Sequence, residues 1–252
     1  MVSLKYDGRL GNNLIQYLAA SFFAKKHNLK PNISSALWGS FFKDEKINSG
    51  RIGQELLEIT DSNFIEFLEK KEIENKHYIL RGFFQKKEFL QNNENEIKKL
   101  INLNYSEVNK DLVFLHYRIG DIQNDRRMLP VEYYEEALNS INFNGGYISS
   151  DSINHKFCVH LINKYNLKPV NMNPMEIMYF GKNFNNIVLS EGTFSWWIGF
   201  LSKTENVICN KRNYFWHGDI FLDRWKKLSW DYEEETIYEN YKLNKYKPKK
   251  IC

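Results

Sequence analysis

Cysteine is scarce: Cys158, Cys209 and Cys252 are the only three among 252 residues. They are odd in number and far apart, and no CxxC pair exists, so neither a disulfide framework nor a structural zinc site is expected. Long hydrophobic runs are missing too. No stretch approaches the roughly 18 to 20 uninterrupted apolar residues of a membrane span. The opening, MVSLKYDGRLGNN, turns polar too early for a signal peptide. Charge of one sign is in short supply, since 35 Lys and Arg against 31 Asp and Glu leave a formal charge of +4. A long polyanion draws a larger or more clustered excess, so no nucleic-acid partner is expected. The remaining expectation is a reduced, cytoplasmic chain. Its 42% hydrophobic content excludes disorder as the main state. Its length allows one large or two small domains.

The pattern opens with a strand over Val2 to Tyr6. A tight loop follows at Gly8-Arg9-Leu10-Gly11-Asn12-Asn13, then a helix with Leu10, Leu14, Tyr17, Leu18 and Phe22 on one face. Residues 44 to 110 are polar and mostly helical in pattern. The clearest helices there are Ser62 to Lys76 and Phe89 to Leu103, with a strand over Tyr78 to Phe84 between them. From Asp111 strands and helices alternate. Strands are expected at Leu112–Tyr117, Gly146–Ser149, Lys168–Met172, Ile187–Leu189 and Val207–Cys209, the last closing the series. Helices are expected from Pro130 to Ile141 and at Asn154–Tyr165, Pro174–Phe180 and Phe194–Leu201. Such alternation implies an α/β fold with a parallel sheet. From Tyr232 onward a charged, Tyr-rich helix or tail is expected, ending in a solvated tip at Lys245 to Lys250. The change of pattern places a domain boundary near residue 108, giving domains 1–108 and 109–252.

In open parallel sheets, ligands bind beyond the carboxyl ends of strands. Three polar clusters follow strands in the second half: Arg118, Gly120 and Asp121; Ser150, Asp151 and Ser152; and Ser190, Glu191, Gly192 and Thr193. The last leads into a helix start, a natural anion site. Three such clusters on one edge point to a phosphate-containing ligand. Arg118 is the strongest candidate, because a guanidinium holds a phosphate through two parallel hydrogen bonds. The competing reading is a structural ion pair with Asp121. His116 lies two residues earlier and faces the same way; it is either part of the site or a buried histidine satisfied by a backbone group. The Gly8 to Asn13 loop is either a ligand contact or a helix cap. No P-loop, HExxH, GxSxG or GxGxxG element is present, and no DxD acid pair clamps a divalent metal. No metal and no cofactor are expected; phosphate binding would rest on Arg, backbone amides and helix ends.

Six segments, taken together, resemble the fucosyltransferases that include the family 11 α-1,2-fucosyltransferases. GRLGNN at 8–13 is similar to the family's GxLGNQ loop, and RGFFQKKEFL at 81–90 to its G-Y-F-Q segment. FLHYRIGD at 114–121 resembles the H-x-R-R-x-D motif, and LPVEYYEEAL at 129–138 the P-x-x-Y-Y segment. YISSDS at 147–152 resembles the F-S-D-D strand end, and SEGTFSWWIGFL at 190–201 the S-x-F-S-W-W signature. The resemblance implies a GT-B-like fold: two Rossmann-like domains with parallel sheets and a cleft between them. The first domain would be the acceptor side and the second would bind the nucleotide sugar. It implies inverting, metal-independent transfer of fucose from GDP-fucose to a sugar hydroxyl of a glycan.

Residue by residue, it places Arg118 on the donor pyrophosphate, with His116 and Asp121 at the flanking motif positions. Asp151, Ser190, Thr193, Phe194 and Ser195 would line the nucleotide site. Gly8, Arg9, Gly11 and Asn12 belong to the loop facing the donor. Asp121, Glu191 and Asp7 are candidates for the base. Two positions depart from the pattern: Ile119 replaces the motif's second arginine and Asn13 the loop glutamine. Ile119 removes a charge near the donor, and together with Asn13 it motivates a same-fold transferase for another nucleotide deoxysugar as the alternative. A non-catalytic glycan-binding relative is a further one. Animal members carry a membrane anchor that this chain lacks, which fits a bacterial or viral type.

Overall fold

The computed structural model describes residues 1–33, 41–43, 55–104, 109–123, 128–211, 220–231 and 249–250. They belong to two compact units, Met1–Asn104 and Tyr105–Cys252. Among the described residues no helix is long and apolar enough to cross a membrane.

The first unit runs β1 (Val2–Lys5), α1 (Leu10–Lys26), β2 (Pro31–Asn32), β3 (Leu56–Ile59), α2 (Phe64–Glu69), β4 (His77–Arg81), α3 (Lys87–Asn92) and α4 (Glu94–Leu100). Its strands are parallel, in the order β2-β1-β4-β3. Helix α1 buries Leu14, Ile15, Leu18, Ala19 and Phe23. The expected stripe is thus too narrow, because Gly11, Ala20 and Ala24 are small enough to sink further faces of the helix into the core. Lys25 and Lys26 close its last turn, where positive charge suits the dipole.

Two expected helices are shorter than their patterns. The helix foreseen over Ser62 to Lys76 ends at Glu69, with Lys70 already extended. Beyond Leu68 only Ile73 is apolar before His77, so no face remains to bury. The helix foreseen over Phe89 to Leu103 is two, broken at Asn93. That side chain donates to Phe89 O at 2.7 Å and competes with the helical backbone. The strand foreseen through Phe84 stops at Arg81. There the carboxylate of Asp61 accepts from Phe83 N (2.9 Å) and Phe84 N (2.6 Å) and bends the chain away.

The second unit runs β5 (Asn109–Tyr117), α5 (Val131–Asn139), β6 (Gly146–Ser150), α6 (Lys156–Tyr165), β7 (Leu167–Pro169), α7 (Pro174–Gly181), β8 (Phe184–Val188), α8 (Thr193–Leu201), β9 (Val207–Asn210) and β10 (Lys226–Leu228). A short antiparallel ribbon pairs β11 (Trp230–Asp231) with β12 (Lys249–Lys250). The large sheet is parallel throughout, in the order β10-β9-β8-β5-β6-β7. Counted from β5, that is 3-2-1-4-5-6, the order of a doubly wound Rossmann sheet, with its switch point between β5 and β8.

Start signals explain several helices. Pro130 stands just before α5 in extended geometry. Asn173 and Glu176 form a capping box around Pro174 at the head of α7. Helices cover both faces of the sheet. Tyr117 and Ile119 join Tyr133, Tyr134, Ala137, Cys158 and Leu161 from α5 and α6 in one core. On the other face Phe114 meets Phe180 of α7, and His116 meets Phe194 of α8.

Val207–Cys209 does not close the series: β10 extends the sheet. Its KKL sequence reads as polar because an edge strand needs little burial. The strand foreseen over Lys168 to Met172 is Leu167–Pro169. Residues 232–248, where a helix or tail is expected, lie outside the described residues. So do 245–248 of the expected Lys-rich tip, while Lys249–Lys250 form β12.

Candidate functional site

Eight of the twelve residues that the family resemblance assigns to catalysis and donor binding stand at the carboxyl edge of the large sheet. His116 and Arg118 come from the end of β5 and its exit, and Asp121 from the 3₁₀ turn Gly120–Ile122 that follows. Asp151 follows β6. Ser190, Thr193, Phe194 and Ser195 bridge the end of β8 and the start of α8. The edge is fixed from behind. Helix α8 buries Trp196, Trp197, Ile198, Phe200 and Leu201, and each such side chain contributes ~1.5–3 kcal/mol. Its N-terminus is therefore held by the core beneath.

Hydrogen bonds join the three strand exits. Arg118 N donates to Ser190 Oγ at 3.1 Å, and Ser190 N donates to Ser195 Oγ at 3.1 Å. Tyr134 OH donates to Ser190 Oγ at 2.9 Å, and Tyr133 OH to Leu189 O at 2.8 Å. Asp151 Oδ1 accepts from Ile119 N (2.8 Å) and Gly120 N (3.0 Å). Asp151 therefore grips the backbone that carries Arg118. The amides of residues 118, 119 and 120 are all taken by side chains from the neighbouring strand exits.

The Arg118 guanidinium is paired side by side with Asp121, Nε to Oδ1 at 2.9 Å and Nη2 to Oδ2 at 2.6 Å. Both side chains keep about a quarter of their surface exposed, 24% and 25%. Nη1 lies against Gly192, where an added Cβ would come within 2.6 Å of it. Gly192 caps α8 with φ +98° and ψ 165°, a conformation essentially restricted to glycine. A guanidinium beside a helix N-terminus is an arrangement that attracts anions.

His116 is buried, and its Nδ1 shares a short hydrogen bond with Ser195 Oγ. The partner is a side-chain hydroxyl, not the backbone group foreseen for a buried histidine. Burial lowers its pKa from 6.5 to about 4; Asp151 opposes the shift and Arg118 reinforces it. The ring is neutral at neutral pH. Tyr134 is shifted in the opposite sense, well above the ordinary tyrosine value, mainly by burial, so it remains a proton donor to Ser190.

Ile119 does not stand beside the guanidinium. It is fully buried in the core with Tyr117, because alternation along the chain turns it away from His116 and Arg118. A substitution at this position acts on the core under α5, which corrects the expectation that it removes a charge near the donor.

Gly8, Arg9, Gly11 and Asn12 belong to the first unit, at the exit of β1. Only Gly8 and Arg9 are loop. Helix α1 begins at Leu10 and takes Gly11, Asn12 and Asn13 into its first turn, which corrects the loop expected there. The reason is local: Asn13 Nδ2 donates to Asp7 O at 2.9 Å, and Asp7 N donates to Gln16 Oε1 at 3.2 Å. Gly8 makes the turn with φ +77°. Gln85 Nε2 donates to Asn12 Oδ1 at 3.0 Å, and Gln16 Nε2 to Gly82 O at 2.9 Å. The 8–13 and 81–85 segments thus meet at the exits of β1 and β4.

No protein-family model and no curated protein matches this chain.

One residue at the large sheet's edge lies outside the sequence expectation. Asn210 ends β9, and its side chain brackets the backbone of Trp230: Nδ2 donates to Trp230 O at 2.8 Å, and Oδ1 accepts from Trp230 N at 2.8 Å. Asn210 Nδ2 also lies 3.4 Å from Glu191 Oε1. The strand-exit rule that found Arg118 also points to Asn210. Of the three base candidates, Glu191 is buried, whereas Asp7 and Asp121 are exposed. Among the described residues no group of His, Cys, Asp and Glu is assembled that could hold a metal ion.

Proposed function

We propose that this chain is an inverting, metal-independent glycosyltransferase that moves fucose from GDP-fucose to a sugar hydroxyl of a glycan. In this reading the two units are the Rossmann-like domains of a GT-B transferase, the first on the acceptor side and the second holding the nucleotide. One observation carries the proposal: Arg118 stands at the switch point of a 3-2-1-4-5-6 sheet, beside the N-terminus of α8. A diphosphate is the ligand such a place suits. The six sequence segments that resemble the fucosyltransferases, in order along the chain, supply the sugar and the base.

Chemically, the acceptor hydroxyl attacks the anomeric carbon from the face opposite the diphosphate. The C–O bond to the diphosphate breaks, and its electron pair leaves with GDP. Arg118 and the amides opening α8 stabilise the charge that develops on the departing oxygen. Asp121 and Asp7, the exposed carboxylates of the three, are the candidates for taking the hydroxyl proton.

The test is GDP release from GDP-fucose in the presence of oligosaccharide acceptors, with EDTA present. Replacing Arg118 by Lys leaves a point charge without the planar fork. Turnover in Arg118→Lys should fall by about 10²–10³-fold, the cost of one preorganised donor. Near-wild-type turnover in that variant would remove Arg118 from this role. Release of a different nucleotide from a different sugar donor would overturn fucose.

A further inference from the structure

One edge of the Arg118 guanidinium, Nε and Nη2, is engaged by Asp121, while Nη1 lies against Gly192. Two parallel N–H donors meeting two oxygens is also how a guanidinium grips a phosphate. The amides of Arg118, Ile119 and Gly120 are bound to Ser190 and Asp151. An anion arriving at the end of β5 therefore meets the Nε–Nη2 edge of Arg118 already paired with a carboxylate of this chain. The two kinds of contact differ in how they can be replaced. Ser190 and Asp151 hold backbone from neighbouring strand exits. Asp121 is carried by a single exposed turn, and its carboxylate is a like-for-like rival of a phosphate.

We infer that Asp121 occupies the phosphate position on Arg118 in the free chain, and that a diphosphate binds by exchanging with this carboxylate. The identity of the natural ligand rests on the donor reading above; the exchange itself concerns any multiply charged phosphate. It makes Asp121 a specificity-determining residue. A singly charged ligand brings no more charge to Arg118 than the carboxylate it must displace, so it gains little. A diphosphate brings more charge and more acceptor oxygens, and it wins. The rival arrangement, in which Asp121 stays and steers Arg118 toward the ligand, predicts the opposite sign when the carboxylate is neutralised.

The experiment titrates inorganic pyrophosphate into the full chain, by calorimetry and by the ¹⁵N-detected Nε–H signal of Arg118. It compares wild type with Asp121→Asn and, as a second variant, Asp121→Ser. Exchange predicts that both variants bind pyrophosphate tighter by about two- to five-fold, the scale of a partly exposed ion pair. It also predicts that the wild-type Arg118 signal shifts on binding. Unchanged or weaker binding in the variants overturns the exchange, and so does absence of pyrophosphate binding in every form. Failure of the fucosyltransferase reading shows elsewhere, as absent GDP-fucose turnover. It leaves the sign of the pyrophosphate effect untouched.

Discussion

Gly192→Ala is the sharpest perturbation the site offers, because two independent costs meet at one atom. The backbone there has φ +98° and ψ 165°. For a residue with a Cβ, that region costs about 1–3 kcal/mol. The new Cβ would also lie 2.6 Å from Arg118 Nη1. Ordinary contact is about 3.5 Å, so the guanidinium must retreat by roughly 1 Å. A long side chain can do so cheaply, and the collision therefore falls on function, not on folding. A misplacement of that size in a positioning group costs on the order of 10²-fold in rate. The variant should fold. Its denaturant midpoint should correspond to a loss of about 1–3 kcal/mol. Its GDP affinity should fall at least about tenfold, reflecting the displaced fork. Combined with Arg118→Lys, the two binding losses should be far from additive, since both act on one guanidinium. Calorimetry and guanidinium chloride unfolding read both quantities. An Ala variant with the wild-type midpoint and the wild-type GDP affinity would mean that neither the backbone conformation nor the approach to Arg118 demands glycine here.

Two further predictions follow from the same edge. His116 has a folded pKa of about 4 against 6.5, so the folded chain binds fewer protons than the unfolded chain between those values. Stability is complete above pH 6.5, falls as pH drops toward about 4 and levels off below it. The loss is roughly 3 kcal/mol at about 1.4 kcal/mol per pKa unit. A His116 ring signal titrating near 6.5 in the folded chain would contradict this. Asp151→Ala leaves the amides of Ile119 and Gly120 without their acceptor and should cost about 1–2 kcal/mol of stability, together with GDP affinity. Asp151→Asn keeps Oδ1 as an acceptor and should restore most of both; equal damage from the two variants would mean that the backbone grip is not what Asp151 does.

The second unit was legible where local signals were strong. Leu112–Tyr117 is a buried run that must be a strand between covered faces. Asn173, Pro174 and Glu176 spell a helix start in the sequence itself. The rule that ligands gather at strand exits points to Arg118, Asp121, Asp151, Ser190 and Thr193; His116 follows from strand alternation, and Phe194 and Ser195 only from the family resemblance. Long-range pairing carried no local signal. His116 and Ser195 lie 79 residues apart, and Tyr134 and Ser190 lie 56 apart. Nothing in either neighbourhood announces the bond. The same applies to Asp151, which reads as a site-lining carboxylate and in fact holds backbone 32 and 31 residues away. The core setting of Ile119 is not visible in the motif, because a motif aligns positions, not the faces on which side chains emerge. In the first unit the polar, Asn-rich pattern hid the break at Asn93, since asparagine suits both a helix surface and a cap.

The proposed nucleoside diphosphate site built around Arg118 is tested by calorimetric titration of the full chain with GDP and GDP-fucose, in EDTA, beside UDP, dTDP and their sugars. Such a site should bind GDP and GDP-fucose alone, with binding abolished or strongly weakened in Arg118→Lys. Binding of another nucleotide would keep the site and change the sugar. No nucleotide binding, or GDP binding indifferent to Arg118→Lys, would contradict the proposal.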